Sequence, residues 1–112
     1  MNLVKFLLDE NMIRVNQEAA NWKEAVKLGI SLLVDSGKAS WNYYNAILRS
    51  AERNGPYFVL MPGVVLPHAR PEEGALGTGF SLVTLKEPVN FGSPENDPIS
   101  ILLSFCAADA AS

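Results

Sequence analysis

The sequence predicts a single α/β domain in which a mixed β-sheet is sandwiched by helices and buried on both faces. Three observations predict it. Apolar residues recur at helical spacing through the first half of the chain, and short runs of strand formers fill the second half. Asn54-Gly55, a helix-stop pair, marks the change. Finally, 112 residues with 48% hydrophobic and 19% charged content make one domain, residues 1–112, with an ordinary globular balance. Helices followed by several apolar strands point to strands that carry the site and helices that cover them.

Each element has its own signal. Residues 2–9 form a short helix with Leu3, Phe6 and Leu7 on one side, and Met12–Val15 forms a brief strand. Asn21 is a good N-cap, and Glu24 three residues later completes a capping box. Trp22, Val26, Ile30 and Leu33 share one face of a helix over 22–35, which Gly37 stops. Ser40 opens a further helix to about Arg53, with Trp41, Tyr44, Leu48 and Ala51 on one face. Both tryptophans read as core or staple residues. Tyr57–Met61 and Val64–Leu66 are strands separated by Pro62-Gly63, Thr78–Lys86 is a third, and Ile99–Ala107 a fourth, opened by Pro98.

Composition excludes several functions. A net charge of −3, with no lysine–arginine cluster, argues against nucleic-acid binding. The apolar runs are too short to span a bilayer, and Met1 to Glu10 lacks the layout of a secretory signal. A single cysteine excludes an internal disulfide and fits the cytoplasm. One histidine and one cysteine cannot assemble the usual tetrahedral metal set, and no cofactor motif is present. Gly74-Ala75-Leu76-Gly77-Thr78-Gly79 lacks the Lys-Ser/Thr of a P-loop and leads into a strand, so it reads as a turn whose glycines take positive φ. Cys106 beside His68 would suit a thiol hydrolase, but its position inside an apolar strand makes it structural.

The chemistry concentrates at His68, the sole histidine, in Pro62-Gly63-Val64-Val65-Leu66-Pro67-His68-Ala69-Arg70-Pro71. Pro67 cannot continue a central ladder and fixes its own φ, so the imidazole is presented at a rigid strand end. Arg70 stands two residues on and permits a charge-assisted contact with an anion held at His68.

The stretch from Gly55-Pro56-Tyr57 through Pro67-His68-Ala69-Arg70 to Glu73-Gly74, followed by Val89-Asn90-Phe91-Gly92, Glu95-Asn96-Asp97-Pro98 and Ile99–Ala107, resembles the enzyme IIA proteins of the bacterial sugar phosphotransferase system. The similarity lies with the mannitol/fructose superfamily, and within it with the L-ascorbate-type proteins. The resemblance implies the mannitol-type IIA fold, and implies that His68 accepts a phosphoryl group from the carrier protein HPr. The group would then pass to a cysteine of a cognate IIB protein that serves a membrane IIC transporter. A regulatory IIA-like domain, whose phosphorylation at His68 controls a partner protein, is the alternative. The family also uses an arginine on the helix before the active strand, and the spacing leaves Arg49 or Arg53 as matches. Two departures stand out. Val65 replaces a small residue common in the family, and the chain ends at Ser112 without the C-terminal helices and second histidine that the resemblance implies. The expectation is a C-terminally truncated domain whose last strand leaves apolar sheet exposed, which invites self-association.

Overall fold

A computed structural model describes residues 2–108. The chain runs α1 (Leu3–Asp9), β1 (Ile13–Gln17), α2 (Trp22–Asp35), α3 (Trp41–Asn54), β2 (Val59–Met61), β3 (Val64–Val65), a 3-10 turn (Pro71–Glu73), β4 (Gly79–Val89) and β5 (Ile99–Cys106). The starts of α1 and α2 follow from their caps. Asn2 and Asn21 each accept the backbone N–H three residues on, from Lys5 and Glu24, at 3.0 Å. The Glu24 carboxylate reaches back to the N–H of Ala20 at 2.7 Å, one residue before the cap expected from the box. Gly55, at φ +84°, ends α3 in a conformation that a β-carbon would strain.

The five strands order β1-β4-β5-β3-β2. β1 is parallel to β4, β4 antiparallel to β5, β5 parallel to β3, and β3 antiparallel to β2, so the sheet is mixed as expected. Alternation along β4 and β5 sends Ser81, Val83, Leu102, Ser104 and Cys106 to one buried face. Helix α2 packs on this face, with Val26, Ile30 and Leu33 fully buried, and α3 lies beside it. The approach is closest at Gly29. Its carbonyl accepts the buried Ser81 hydroxyl at 2.8 Å, and a β-carbon built there would stand 2.6 Å from Ser104 Oγ.

The other face carries Phe80, Leu82, Leu103 and Phe105, all half-buried, together with the exposed Ile101. Here α1 contributes Phe6, edge-on to Phe80 at 6.1 Å. Helices thus lie on both faces, but burial is complete only under α2 and α3.

Two readings of the helices need correction. The buried stripe of α3 is Tyr43, Ala46 and Ile47, whereas Trp41 is 41% exposed. Both stripes have helical spacing. Tyr43 wins because its hydroxyl finds backbone partners inside the fold, while Trp41 stays at the surface against Tyr44 and beneath the Lys27 ammonium. Trp22, by contrast, is half-buried against Phe58 and Phe91.

The strand limits also shift. Tyr57 and Phe58 belong to a turn rather than to β2, and Leu66 lies outside β3 although its N–H still donates to Phe58 O at 2.9 Å. In the glycine-rich segment only Gly74 takes positive φ, at +128°. Gly77 and Gly79 serve close packing instead, since a β-carbon at either would meet the Lys38 side chain at 3.3 and 3.0 Å. The turn before β5 is held by Asp97, whose carboxylate accepts the N–H groups of Phe91, Gly92 and Ser93 at 2.8, 3.0 and 2.9 Å. Asn96 O in the same loop accepts Gly63 N–H at 2.9 Å, which braces the turn between β2 and β3, upstream of His68.

Candidate active site

His68 leaves β3 beside the C-terminal end of β5. Phe105 N–H donates to Pro67 O at 3.2 Å, extending the parallel pairing past the proline. Pro67 is fully buried and offers no N–H of its own, so the chain turns away at His68. The imidazole stacks on Phe105, with centroids 4.8 Å apart and planes 15° apart, on the incompletely covered face. Tyr57 meets it edge-on at 5.4 Å and 76°.

Nδ1 of His68 lies 2.6 Å from Leu66 O. A carbonyl oxygen only accepts, so this contact requires the proton on Nδ1 and leaves the lone pair of the neutral ring on Nε2. The peptide that follows is held at both ends. Tyr57 OH donates to His68 O, and Tyr43 OH accepts Ala69 N–H at 3.0 Å. The Tyr43 hydroxyl also lies 2.8 Å from Phe105 O and 3.2 Å from Ala69 O, so its own proton has a carbonyl to bond. Burial pushes both phenols up to about 12; at Tyr57 the negative charge of Glu73 adds to this, while a hydrogen bond with Ser50 opposes it. Both therefore remain donors at neutral pH.

Ser50, Tyr57, His68, Ala69, Arg70 and Glu73 line an open depression of about 260 Å³. The structure thus brings Arg70 to the imidazole's depression. Its own backbone N–H donates to the Glu73 carboxylate at 3.1 Å, which holds the turn after His68. Arg49 and Arg53 are exposed on α3 and do not line the depression, whose α3 residue is Ser50 between them. Glu73 lines the depression, and its neighbour Glu72 does not. Among the described residues the ion pairs are Lys5–Asp9 and Lys23–Glu52, so the three guanidiniums have no carboxylate partner.

Cys106 is next to Phe105 but faces the opposite side of the sheet, fully buried, with Sγ 3.4 Å from Lys38 O. Burial pushes its thiol up. It cannot pair with His68, because adjacent strand residues point to opposite faces. Among the described residues no group of three or more histidine, cysteine or acidic side chains could hold a metal ion, and no helix is long and apolar enough to cross a membrane.

Sequence reasoning missed Tyr43, Tyr57, Ser50 and Phe105. The strand alternation held one usable signal: Phe105 shares the parity of Leu103 and Ile101, away from Cys106. Tyr57 carried none, since an aromatic that opens an apolar run such as Tyr57–Met61 looks like core.

Comparison with known proteins identifies the family. A family described as phosphoenolpyruvate-dependent sugar phosphotransferase system, EIIA 2, matches residues 6–112. An ascorbate-specific PTS system EIIA component from Salmonella typhi is 52% identical over 110 residues, 98% of this chain and 71% of the relative. The component of the same description from Escherichia coli K12 is 50% identical over the same shares. Among solved structures, the mannitol-specific cryptic phosphotransferase enzyme IIA from Escherichia coli superposes with a TM-score of 0.86 at 41% identity, covering 99% of this chain and 74% of that one. The mannitol IIA of Escherichia coli gives 0.76 at 26% identity, covering 91% and 72%. With a matched family spanning nearly the whole chain, relatives at half identity, and the mixed sheet of the mannitol-type IIA structures, the chain belongs to the EIIA type 2 family of the phosphoenolpyruvate-dependent sugar phosphotransferase system.

Proposed function

We propose that residues 1–112 act as one EIIA type 2 domain, in the cytoplasm, whose His68 carries a phosphoryl group between two protein partners. The donor is phospho-HPr. The Nε2 lone pair attacks its phosphorus in line, an Nε2–P bond forms, and the N–P bond to the donor histidine breaks and leaves that ring neutral. A cysteine thiolate of a cognate IIB protein then takes the phosphoryl group, restoring the neutral imidazole. The observation that carries this reading is the Nδ1 contact with Leu66 O, which leaves Nε2 as the nucleophilic nitrogen.

Little else is required of the protein, because phosphoryl transfer depends mostly on positioning and charge stabilisation. Arg70 supplies a cation at the depression, and Arg53 and Arg49 on α3 are the further arginines that the family resemblance offers. An open depression suits two partners docking in turn through a small, fast-exchanging interface. The sugar is selected by the membrane IIC transporter that IIB serves, and the ascorbate-specific relatives make L-ascorbate the first substrate to test.

Incubation with phosphoenolpyruvate, enzyme I and HPr should add one acid-labile phosphate, absent from His68→Ala. A His68→Ala variant that retains the label would overturn the assignment.

A further inference from the structure

We infer that Tyr57 is a positioning residue, whose hydroxyl aims Nε2 of His68 by fixing the plane of the His68–Ala69 peptide. This rests on His68 being the phosphoryl carrier, and it adds a residue that acts only through the imidazole. Pro67 fixes its own φ, so the backbone rotations nearest the ring are φ and ψ of His68 itself. Rotation about ψ tilts the His68–Ala69 peptide. Tyr57 OH holds the carbonyl end of this peptide and Tyr43 OH its N–H end. Backbone angles select the side-chain rotamer, so loosening the peptide releases χ1 of His68 and the Nδ1 contact with Leu66 O.

The two phenols are not equivalent. Tyr43 is fully buried and also within bonding distance of Phe105 O, so it ties α3 to β5 whatever happens at His68. Tyr57 is half-buried, lines the depression and packs edge-on against the imidazole. Its hydroxyl bonds the backbone of the histidine itself. Removing that hydroxyl while keeping the ring should therefore loosen the aim of Nε2 more than it weakens the fold.

The test compares wild type, Tyr57→Phe and His68→Ala. Transfer from phospho-HPr is followed over a range of donor concentrations, alongside melting temperature and ¹⁵N spectra of the histidine ring. For Tyr57→Phe the maximal rate should fall by roughly tenfold or more, as misplacement of a reacting atom does, with the half-saturating donor concentration unchanged. The ring signals should move from the Nδ1-protonated form toward a mixture of tautomers. A maximal rate close to wild type, or ring signals that do not move, would overturn the inference. So would a fall in rate matched by a fall in melting temperature with the ring signals unchanged, since the hydroxyl would then serve stability alone. If His68→Ala still takes up phosphate, the carrier reading fails, and the ring spectra of Tyr57→Phe still decide whether the hydroxyl orients the imidazole.

Discussion

The imidazole of His68 lies almost parallel to the ring of Phe105, 4.8 Å away, so the penultimate residue of β5 backs the imidazole. Phe105 in turn meets Phe80 at 6.1 Å, and Phe80 meets Phe6 of α1 at the same distance. A row of aromatic rings therefore runs from the site to the N-terminal helix. Phe105→Leu removes the flat surface under the imidazole and should slow transfer from phospho-HPr. The lost ring pairs should cost about 1 kcal/mol of stability, read from denaturant midpoints. An unchanged transfer rate would mean that the stack does not orient the ring.

Arg70→Gln should slow phosphoryl uptake by on the order of tenfold or more, because a positioned cation stabilises the charge of the transferring group. Its side chain reaches the depression that holds His68, whereas Arg49 and Arg53 stand outside its lining. Stopped-flow transfer with each arginine replaced singly by glutamine ranks the three. Arg70→Gln at wild-type speed would remove that cation from the chemistry.

Gly29→Ala sets two effects against each other. Alanine is the better helix former by about 1 kcal/mol. Against this, the new β-carbon would stand 2.6 Å from Ser104 Oγ, 3.2 Å from Ser81 Oγ and 3.4 Å from Ser104 Cβ. Rotating the Ser104 hydroxyl relieves only the first contact, and Ser81 is tied to the carbonyl of Gly29. Overpacking should win, leaving the variant less stable by about 1–2 kcal/mol. A rise in melting temperature would show that α2 can lift from the sheet without cost.

Alkaline pH should destabilise the fold through the two phenols. Tyr43 and Tyr57 titrate at about 12 when folded, against 10.0 for a free phenol, so folding favours their protonated form. Their contribution is complete below pH 10 and is lost as pH rises from about 10 towards 12, because the unfolded chain releases these protons first. Urea midpoints measured from pH 8 to 11.5 should be level at first and then fall. The fall should be shallower in a Tyr43→Phe, Tyr57→Phe double variant, and an identical slope would assign the alkaline loss to other groups.

The elements of this protein were determined largely by local sequence. Asn21 caps α2, Gly55 ends α3, and runs of strand formers mark β4 and β5, whose side chains point to alternate faces. These are short-range effects of backbone donors, left-handed φ and side-chain period, which a linear reading captures. The rigid presentation of His68 after Pro67 was legible for the same reason. Which stripe of α3 faces inward was not, because Trp41-Tyr44-Leu48 and Tyr43-Ala46-Ile47 are equally periodic. The choice depended on carbonyl partners for a hydroxyl 26 and 62 residues away along the chain. The same holds at the site. Only the parallel pairing of β3 with β5 sets Phe105 beneath the imidazole, and only the packing of α3 against the turn after β3 brings Tyr43 to the peptide that Tyr57 also holds. Local sequence determined that a histidine would stand at a strand end. Its tautomer, its orientation and its neighbours were decided by contacts between segments that no local pattern links.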